Sequence, residues 1–438
     1  MSRRSETSGV TPAVLPLVDG GEAEVRRLEN GLRVIVRENA AAPVVAVALL
    51  AAGGSVTEDP ATSGVTALLG RTILKGTRRR SALDVARVAE DAGGAIESGS
   101  DQEYAEITAQ GLARHWPQLL GLIHEVLTEP SLSPETVERE RDVLLAQIRG
   151  LEDQPFHVAS RVLARALYGT HGYALPTSGE PGSVARLTRA DLVQRLTACY
   201  APPGTVLSVS GQVPAGEVLE EAARLFGALP GGEPSSALAA PPVRPVRARD
   251  EETRPVQQTQ VLFGFFAPPI GHPDHVAVRV MNTILGGGMS SRLFRVLRDE
   301  RGLAYAVGSA YPARHGTGRI VVHLGTAPPS AVAAEAGIRQ ELKRLRTDGV
   351  GREELSRTKT YMTGAFALDR RTNARQAFSL AFYEVLSVGA DYVRRYPGLV
   401  EAVSAADVKR VAERYLVDPA VVVVGPAPAC PRDPGRSG

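Results

Sequence analysis

Two segments about 215 residues apart follow the same pattern, which indicates that the chain contains one domain twice. Each has a hydroxyl residue three positions before an aspartate, as at the start of a capped helix, and later an apolar run that resembles a core strand. The first copy comprises Thr188, Asp191, Tyr200, Pro203 and Val206–Gly211, and the second comprises Ser404, Asp407, Tyr415, Pro419 and Val421–Gly425. The alternative is a chance similarity of a single helix–strand unit.

The length and the order of the predicted elements agree with such a duplication. At 438 residues the chain has room for two domains of about 200 residues each. Residues 23–37 and 44–52 are rich in Val and Leu around an Asn-Gly turn, which predicts strands. Segments with the apolar spacing of helices follow, at residues 63–74, 82–92, 116–127 and 134–151. Strand runs followed by helix runs favour an α+β fold.

A proline-rich stretch without apolar periodicity predicts a linker between the two halves. The chain ends in a run rich in Pro, Gly and Arg, which is typical of a frayed terminus. The predicted organisation is therefore a flexible tail at 1–20, a first domain at 21–228, a linker at 229–256, a second domain at 257–425 and a flexible tail at 426–438.

The charge balance argues against partners that bind through a strong field. Fifty Lys and Arg against 48 Asp and Glu give a net charge of +2, too small to hold phosphate backbones or anionic lipid. Cys199 and Cys430 have no repeated spacing, so neither a zinc knuckle nor a disulfide framework is predicted. Residues 10–18 are interrupted by Thr and Pro and make a poor signal-peptide core, so we expect a cytoplasmic protein.

One helical segment carries a family resemblance. Residues 64–77 read GVTALLGRTILKGT, which resembles the signature helix of the pitrilysin, insulinase and mitochondrial processing peptidase family of zinc peptidases. In that family the helix bears an inverted zinc motif, H-x-x-E-H, followed closely by Lys-Gly-Thr. Two imidazoles on one helical face bind the metal, the Glu deprotonates the bound water, and a distant Glu completes the site.

All four zinc-site positions are replaced in this chain. The two His positions fall on Ala67 and Arg71, the general-base position falls on Gly70, and the distant ligand falls on Gln147. An amide is a far weaker zinc ligand than a carboxylate, and a guanidinium repels the cation. The resemblance therefore implies a degenerate site, with no metal on this chain and no peptide hydrolysis by this chain alone.

Two further features near these motifs have competing interpretations. Glu140, seven residues before Gln147, matches a supporting carboxylate of the family, or it is a solvated helix charge paired with a neighbour such as Arg141. His272 and His275 have the spacing of a ligand pair, but without further ligands nearby a helix start after Pro273 is the favoured interpretation.

The second half keeps the motif that the family uses to hold substrate. Residues 285–294, LGGGMSSRLF, and 298–305, RDERGLAY, resemble the C-terminal signature, in which an Arg and a Tyr reach toward the scissile peptide. These positions match Arg298 and Tyr305, while Gly286, Gly287 and Gly288 resemble a glycine-rich loop near substrate. A guanidinium can hold carbonyls and a phenol can stabilise an oxyanion. The alternative is an Arg298 paired with nearby acids and a Tyr305 packed in a strand.

A second candidate for substrate contact precedes Tyr104. Residues 94–104, GAIESGSDQEY, are similar to the family's edge strand, where an extended peptide adds as another strand through main-chain hydrogen bonds. The resemblance thereby marks Ser98, Gly99 and Ser100 as substrate-binding residues. The Gly and Ser content suits an ordinary hairpin equally well.

The resemblance implies the overall fold and the role of the chain. It predicts two tandem domains, each a mostly antiparallel sheet covered by helices, which together form half of a clamshell. The partner would be an H-x-x-E-H subunit that carries zinc, and the pair would cleave unfolded peptides. The alternative is a catalytically inert scaffold of the same fold; an autonomous hydrolase would need ligands that the sequence does not provide.

Overall fold

The computed structural model describes residues 13–16, 21–232, 241–242 and 244–427. The strands are β1 (Ala13–Pro16), β2 (Glu22–Arg27), β3 (Arg33–Glu38), β4 (Val44–Ala52), β5 (Ala95–Ser100), β6 (Tyr104–Leu112), β7 (Thr205–Gly211), β8 (Arg249–Thr253), β9 (Thr259–Ala267), β10 (Ala306–Ala310), β11 (Gly318–Thr326) and β12 (Ala420–Gly425).

The helices include all four that the apolar spacing predicted in the first half. They are α1 (Val65–Ile73), α2 (Ala82–Asp91), α3 (Trp116–Thr128), α4 (Pro134–Glu152), α5 (Pro155–Tyr168), α6 (Pro181–Val184), α7 (Arg189–Cys199), α8 (Ala215–Phe226), α9 (His275–Gly286), α10 (Ala331–Asp348), α11 (Arg352–Asp369), α12 (Asn373–Val385), α13 (Tyr392–Ala402) and α14 (Ala405–Tyr415). A π-helical stretch covers Phe294–Glu300. Within the described residues, no helix has the length and apolar character needed to cross a membrane.

The strand order supports the duplication. Among the described residues, one sheet has the order β1-β2-β3-β7-β4-β6-β5 and the other has the order β8-β12-β9-β11-β10 when read from its parallel end. The five strands β3-β7-β4-β6-β5 of the first sheet have the same arrangement as the five strands of the second sheet. In both sheets the first two strands in this order pair in parallel, and all following neighbours are antiparallel. The expected α+β fold with mostly antiparallel sheets is confirmed.

The two repeated segments occupy the same place in their sheets. Thr188 and Ser404 each form a capping box with the aspartate three residues later, at the start of α7 and α14. Each helix then leads to an interior strand, β7 or β12. The sequence repeat therefore marks a capped helix that feeds the centre of a sheet.

The chain divides into two compact units whose segments alternate along the sequence. Unit 1 consists of Met1–Ile148, Leu175–Ala239 and Thr363–Leu399, and unit 2 consists of Arg149–Ala174, Ala240–Met362 and Val400–Gly438. Each domain predicted at 21–228 and 257–425 is one continuous segment of the sequence. In the structure, each unit also includes a helix from the segment predicted for the other domain. Helix α5 packs on β9 and β12 in unit 2, and α12 packs on β4 and β7 in unit 1.

Both faces of the central strand β4 are covered, which explains its composition. Val45, Val47, Leu49 and Ala51 belong to the core that includes α1, α3 and α8, while α12 packs on the same strand. Because every residue from 45 to 51 is buried, the strand is a continuous apolar run rather than an alternating one. In unit 2 the corresponding close packing is visible at Gly264, where a Cβ would lie 2.8 Å from Leu167.

Two segments predicted to be irregular contain strands. In the tail predicted at 1–20, Ala13–Pro16 pairs with β2, and in the linker predicted at 229–256, Arg249–Thr253 pairs in parallel with β12. The linker prediction is wrong for β8 because this edge strand is polar and never fully buried, so it lacks an apolar signal. Residues 1–12, 17–20, 233–240 and 243, and the predicted tail after 427, lie outside the described residues.

A buried carboxylate joins the first turn of α9 to α14 in unit 2. Asp274 is 5% exposed and accepts hydrogen bonds from Arg410 (2.6 Å), Arg414 (3.1 Å) and the Tyr415 hydroxyl (2.8 Å). Burial opposes ionisation of Asp274, but the Arg410 and Tyr415 hydrogen bonds outweigh it and hold its pKa below the usual 3.8. Burial and Asp274 together raise the pKa of Tyr415 to about 12.

We expect Asp274→Asn to lower the free energy of unfolding of the protein by about 2 kcal/mol at neutral pH, because charged hydrogen bonds are lost while the arginines stay partly exposed. The folded pKa is depressed, so this stabilisation is complete above the usual 3.8 and is lost as the pH falls below it. Urea unfolding from pH 7 to pH 3 should show the two proteins converging in acid. The exposed Asp153→Asn is the matched control, and equal stability of Asp274→Asn and wild type at pH 7 would contradict the expectation.

Candidate functional site

Helix α1 is held at its N-terminus by a buried carboxylate. Glu58 accepts hydrogen bonds from the backbone N–H groups of Gly64 (2.7 Å) and Thr66 (2.8 Å), which the helix leaves unpaired. Burial raises the pKa of Glu58, although these donors oppose the rise. Gly64 has a φ of +96°, a left-handed conformation that favours glycine. The helix that bears the degenerate motif is thus fixed in position.

The structure brings the predicted zinc-site positions together. Ala67, Gly70 and Arg71 lie on α1, and Gln147 lies on α4. The Arg71 guanidinium donates to Gln147 Oε1 at 3.2 Å and lies 3.4 Å from Glu140 Oε2. The side chain at a former metal-ligand position therefore bonds directly to the side chain at the distant ligand position.

Glu140 is the anion at the centre of this group. Its side chain is 8% exposed, and it pairs with Arg71 and with Lys75, whose Nζ lies 3.4 Å from Oε1. Arg141 does not pair with it, because Arg141 donates to the Leu187 carbonyl instead. Glu140 is therefore neither a solvated charge nor a partner of Arg141. Its carboxylate balances two cations, Arg71 on α1 and Lys75 just after the end of that helix.

These residues do not fit a zinc ion. The Glu140 carboxylate already forms ion pairs with Arg71 and Lys75, Gln147 Oε1 accepts a hydrogen bond from Arg71, and a guanidinium beside them opposes a divalent cation. Over the ranges that the structure describes, no group of three or more His, Cys, Asp or Glu has the arrangement of a metal site.

The histidine pair before α9 has a structural explanation. His275 is buried and hydrogen-bonds to the Tyr311 hydroxyl at 2.8 Å, and Nδ1 of His272 accepts from the Asp274 N–H at 3.0 Å. Burial, with smaller effects of Arg279 and His272, lowers the pKa of His275 to about 3. These contacts favour the helix-start interpretation.

The segment predicted to be an edge strand is one. Strand β5 lies at an end of its sheet and pairs with β6, so its other side carries the backbone groups that an added strand would use. A Cβ at Gly70 would lie 3.6 Å from Ser98 Oγ and 3.9 Å from Gly99 Cα. Ser98, Gly99 and Ser100 therefore lie beside the former general-base position on α1.

Arg298 and Tyr305 are both exposed in unit 2. Arg298 lies in the last turn of the π-helical stretch with its guanidinium 4.6 Å from the Phe294 ring centroid, and Tyr305 is 63% exposed just before β10. Among the described residues, neither side chain has a hydrogen-bond or ion-pair partner. Arg298 is thus not paired with a neighbouring acid, and Tyr305 is not packed in a strand. Both donors are available to a molecule outside this chain.

The glycine run at the end of α9 has two different environments. A Cβ at Gly286 would collide with the Ser309 backbone nitrogen of β10, and one at Gly287 would lie 2.7 Å from Thr283 Cα. Gly286 therefore allows the helix to approach the strand closely, and Gly287 fits against the last turn of the helix itself. Gly288 is exposed and precedes Met289, which is 79% exposed. Gly288 is therefore the member of the run that is open to a ligand.

Two side chains near these sites were not singled out by the sequence. Tyr361 of α11 is exposed, with its hydroxyl 3.9 Å from a Cβ placed on Gly288, and Glu106 of β6 lies 3.1 Å from a Cβ placed on Gly99. No sequence pattern indicates that Tyr361 lies near Gly288, because the two residues are far apart in the chain. The alternation of polar residues in β6 was a usable signal for Glu106.

Comparisons with known proteins agree with this geometry. The family described as insulinase (peptidase family M16) matches residues 33–180, and the peptidase M16 inactive domain matches residues 186–362. An uncharacterized zinc protease of Streptomyces coelicolor is 30% identical over 450 residues, covering 97% of this chain and 95% of that protein. The zinc protease YmxG of Bacillus subtilis, also uncharacterized, is 27% identical over 351 residues, covering 80% of this chain and 85% of its own length.

A solved structure shows the same fold. The peptidase M16 inactive domain from Pseudomonas fluorescens superposes with a TM-score of 0.86 at 24% identity, covering 93% of this chain and 99% of that chain. The similarity over nearly the whole length agrees with the repeated sheets. The chain is a member of the insulinase, or M16, family of peptidases.

Proposed function

We propose that this chain is the non-catalytic, substrate-binding subunit of a heterodimeric zinc metalloendopeptidase that cleaves unfolded peptides. Its partner would be an H-x-x-E-H chain of the same family, which holds the zinc ion. The observation that carries the proposal is a contrast: Arg71 pairs with Gln147 and Glu140 at the former metal positions, whereas Arg298 and Tyr305 are exposed and unpaired among the described residues. A cytoplasmic location for the pair remains a prediction.

Arg298 and Tyr305 would contact the peptide at the partner's active site. The Arg298 guanidinium presents several N–H donors that can hold peptide carbonyl oxygens. The Tyr305 hydroxyl donates to the carbonyl oxygen of the scissile bond as that oxygen gains negative charge. Both groups are donors, so they complement a site that supplies metal and water from another chain.

Strand β5 would bind the backbone of an extended peptide. An added strand pairs with the free edge of a sheet through main-chain hydrogen bonds, which do not depend on the peptide sequence. The short side chains of Ser98 and Ser100, with Gly99 between them, leave this edge accessible. This mode of binding suits an unfolded substrate.

The second candidate is a scaffold of the same fold without a part in catalysis. It is favoured by the ionic group of Arg71, Lys75 and Glu140, which replaces the metal chemistry with a structural contact between α1 and α4. In that case Arg298 and Tyr305 would be dispensable for the activity of any complex that contains this chain. The next experiment separates the two functions.

We expect the mixture of this chain with its H-x-x-E-H partner to cleave a quenched unfolded peptide that neither chain cleaves alone. Tyr305→Phe should lower kcat about 100-fold, as removal of one oxyanion donor does, and Arg298→Ala should lower kcat/KM. Arg295→Ala removes an exposed arginine of the same helical stretch and serves as the control. Full activity of both the Arg298 and Tyr305 variants would favour the scaffold.

We expect the purified wild-type chain to hold no stoichiometric zinc, because its former ligand positions carry a cation and an amide. The variant with Ala67→His, Gly70→Glu, Arg71→His and Gln147→Glu restores the family's ligand set and should bind about one zinc per chain. A side chain at position 70 has space, since its Cβ meets Ser98 at an ordinary contact distance of 3.6 Å. Elemental analysis after dialysis measures both, and one tightly bound zinc in the wild type would refute the proposal.

A further inference from the structure

A glycine in the edge strand exposes a carboxylate of the next strand. Gly99 of β5 pairs with Glu106 of β6, and a Cβ at position 99 would lie 3.1 Å from Glu106 Oε1. The Glu106 side chain therefore lies over Gly99, in the space that a larger residue would fill. Its carboxylate points toward the edge of the sheet, where a further strand would pair.

Glu106 lies in a groove on the face of the sheet that α12 covers only in part. The groove has a volume of about 410 Å³ and is lined by β4, β5, β6 and the first turns of α12. Tyr104 and Phe378 form an aromatic wall with their ring centroids 5.8 Å apart, and Glu97 of β5 also lines the groove. The groove combines apolar surface with two carboxylates and one arginine, Arg375.

Within the part of the chain that the structure describes, the negative charge in this groove is only partly neutralised, by Arg375. Among the described residues Glu106 has no hydrogen bond or ion pair, and Arg375, the cation that faces it, donates to Asp369 at 2.8 Å. Burial raises the pKa of Glu106, Arg375 opposes the rise, and the nearby Glu97 and Asp101 add to it. A cationic group entering the groove would therefore be bound favourably.

We propose that this groove is a subsite for a lysine or arginine side chain of an extended peptide paired with β5, at the position opposite Gly99. The inference rests on the proposed function, because it assigns the substrate's side-chain chemistry to the same edge strand. Residues that pair directly across two strands point to the same face of the sheet. The side chain opposite Gly99 therefore starts on the face where Glu106 lies.

The reach of the side chain selects long basic residues. Neighbouring strands lie about 4.8 Å apart, so the peptide residue must extend over Gly99 to meet Glu106 on the strand beyond. Lysine and arginine have apolar stems that can lie on Gly99 and the aromatic wall while their charged ends reach the carboxylate. Apolar residues of similar length would leave Glu106 desolvated without a partner, which is unfavourable.

The edge strand of the sheet in unit 2 also contains a glycine, with different chemistry beside it. Gly308 of β10 pairs with His323 of β11, and a Cβ at position 308 would lie 2.9 Å from His323 Cε1. There the side chain over the glycine is an imidazole whose pKa burial lowers, with Phe156 at 5.2 Å between ring centroids. Each edge strand therefore has a glycine beside a longer side chain of the next strand, which is a carboxylate in unit 1 and an imidazole in unit 2.

The test is equilibrium binding of two fluorescein-labelled unfolded peptides to the full-length chain, followed by anisotropy. The peptides are identical except for a central Arg-Lys pair in one and a Gln-norleucine pair in the other. We expect the basic peptide to bind about tenfold more tightly, the equivalent of 1.4 kcal/mol. Glu106→Gln, which keeps the shape of the side chain, should reduce this preference to less than about twofold, chiefly by weakening the binding of the basic peptide.

Two further variants keep the result interpretable. Glu97→Gln on the exposed strand should weaken the preference partially, and Glu90→Gln on α2, an exposed carboxylate away from the groove, should leave it intact. A full preference in Glu106→Gln, or no binding of either peptide by the wild type, would overturn the inference. If the preference depends on Glu106 but Arg298→Ala does not affect the reconstituted activity, the proposed function alone fails. If Arg298→Ala lowers the reconstituted activity but Glu106→Gln keeps the preference for the basic peptide, the subsite alone fails.

Discussion

The need to cover both faces of each central strand is the constraint on which this fold depends. Strand β4 is apolar on both sides, and the helices that follow it in the chain cover one face only. The second face is covered by α12, a helix from the other half of the sequence, and α5 packs on the second sheet in the same manner. Because each unit needs a helix from both halves of the sequence, we expect that neither half would fold alone.

The charge group on α1 and α4 shows how a peptidase helix can be kept without its metal. A zinc ion would link the two helices through ligands on each. In this chain the Arg71 guanidinium links them through Gln147 and Glu140, with Lys75 as a second cation. A contact between helices is retained while the means to activate water is not. The chain therefore keeps the family's fold and its edge strand with an ionic contact at these positions.

Much of the fold and part of the site were predictable from local patterns. The apolar spacing predicted α1 to α4 within a few residues, and the capping signals at Thr188 and Ser404 marked both repeated helices. Strand β8 was missed because a polar edge strand lacks alternation of apolar residues. The exchange of α5 and α12 was missed because an apolar stripe shows that a helix packs on something, but not on which sheet.

By itself the sequence determined which residues stand at the motif positions of the family, because motifs are spacings along one segment. Ala67, Gly70 and Arg71 replace the metal motif in a single helix, and Arg298 and Tyr305 are seven residues apart. Only the tertiary structure decided what those groups meet. Arg71 and Gln147 are 76 positions apart, and the Glu106 carboxylate is placed over Gly99 by the pairing of two strands. Such contacts depend on strand register and helix packing, which bring together residues that no local pattern connects.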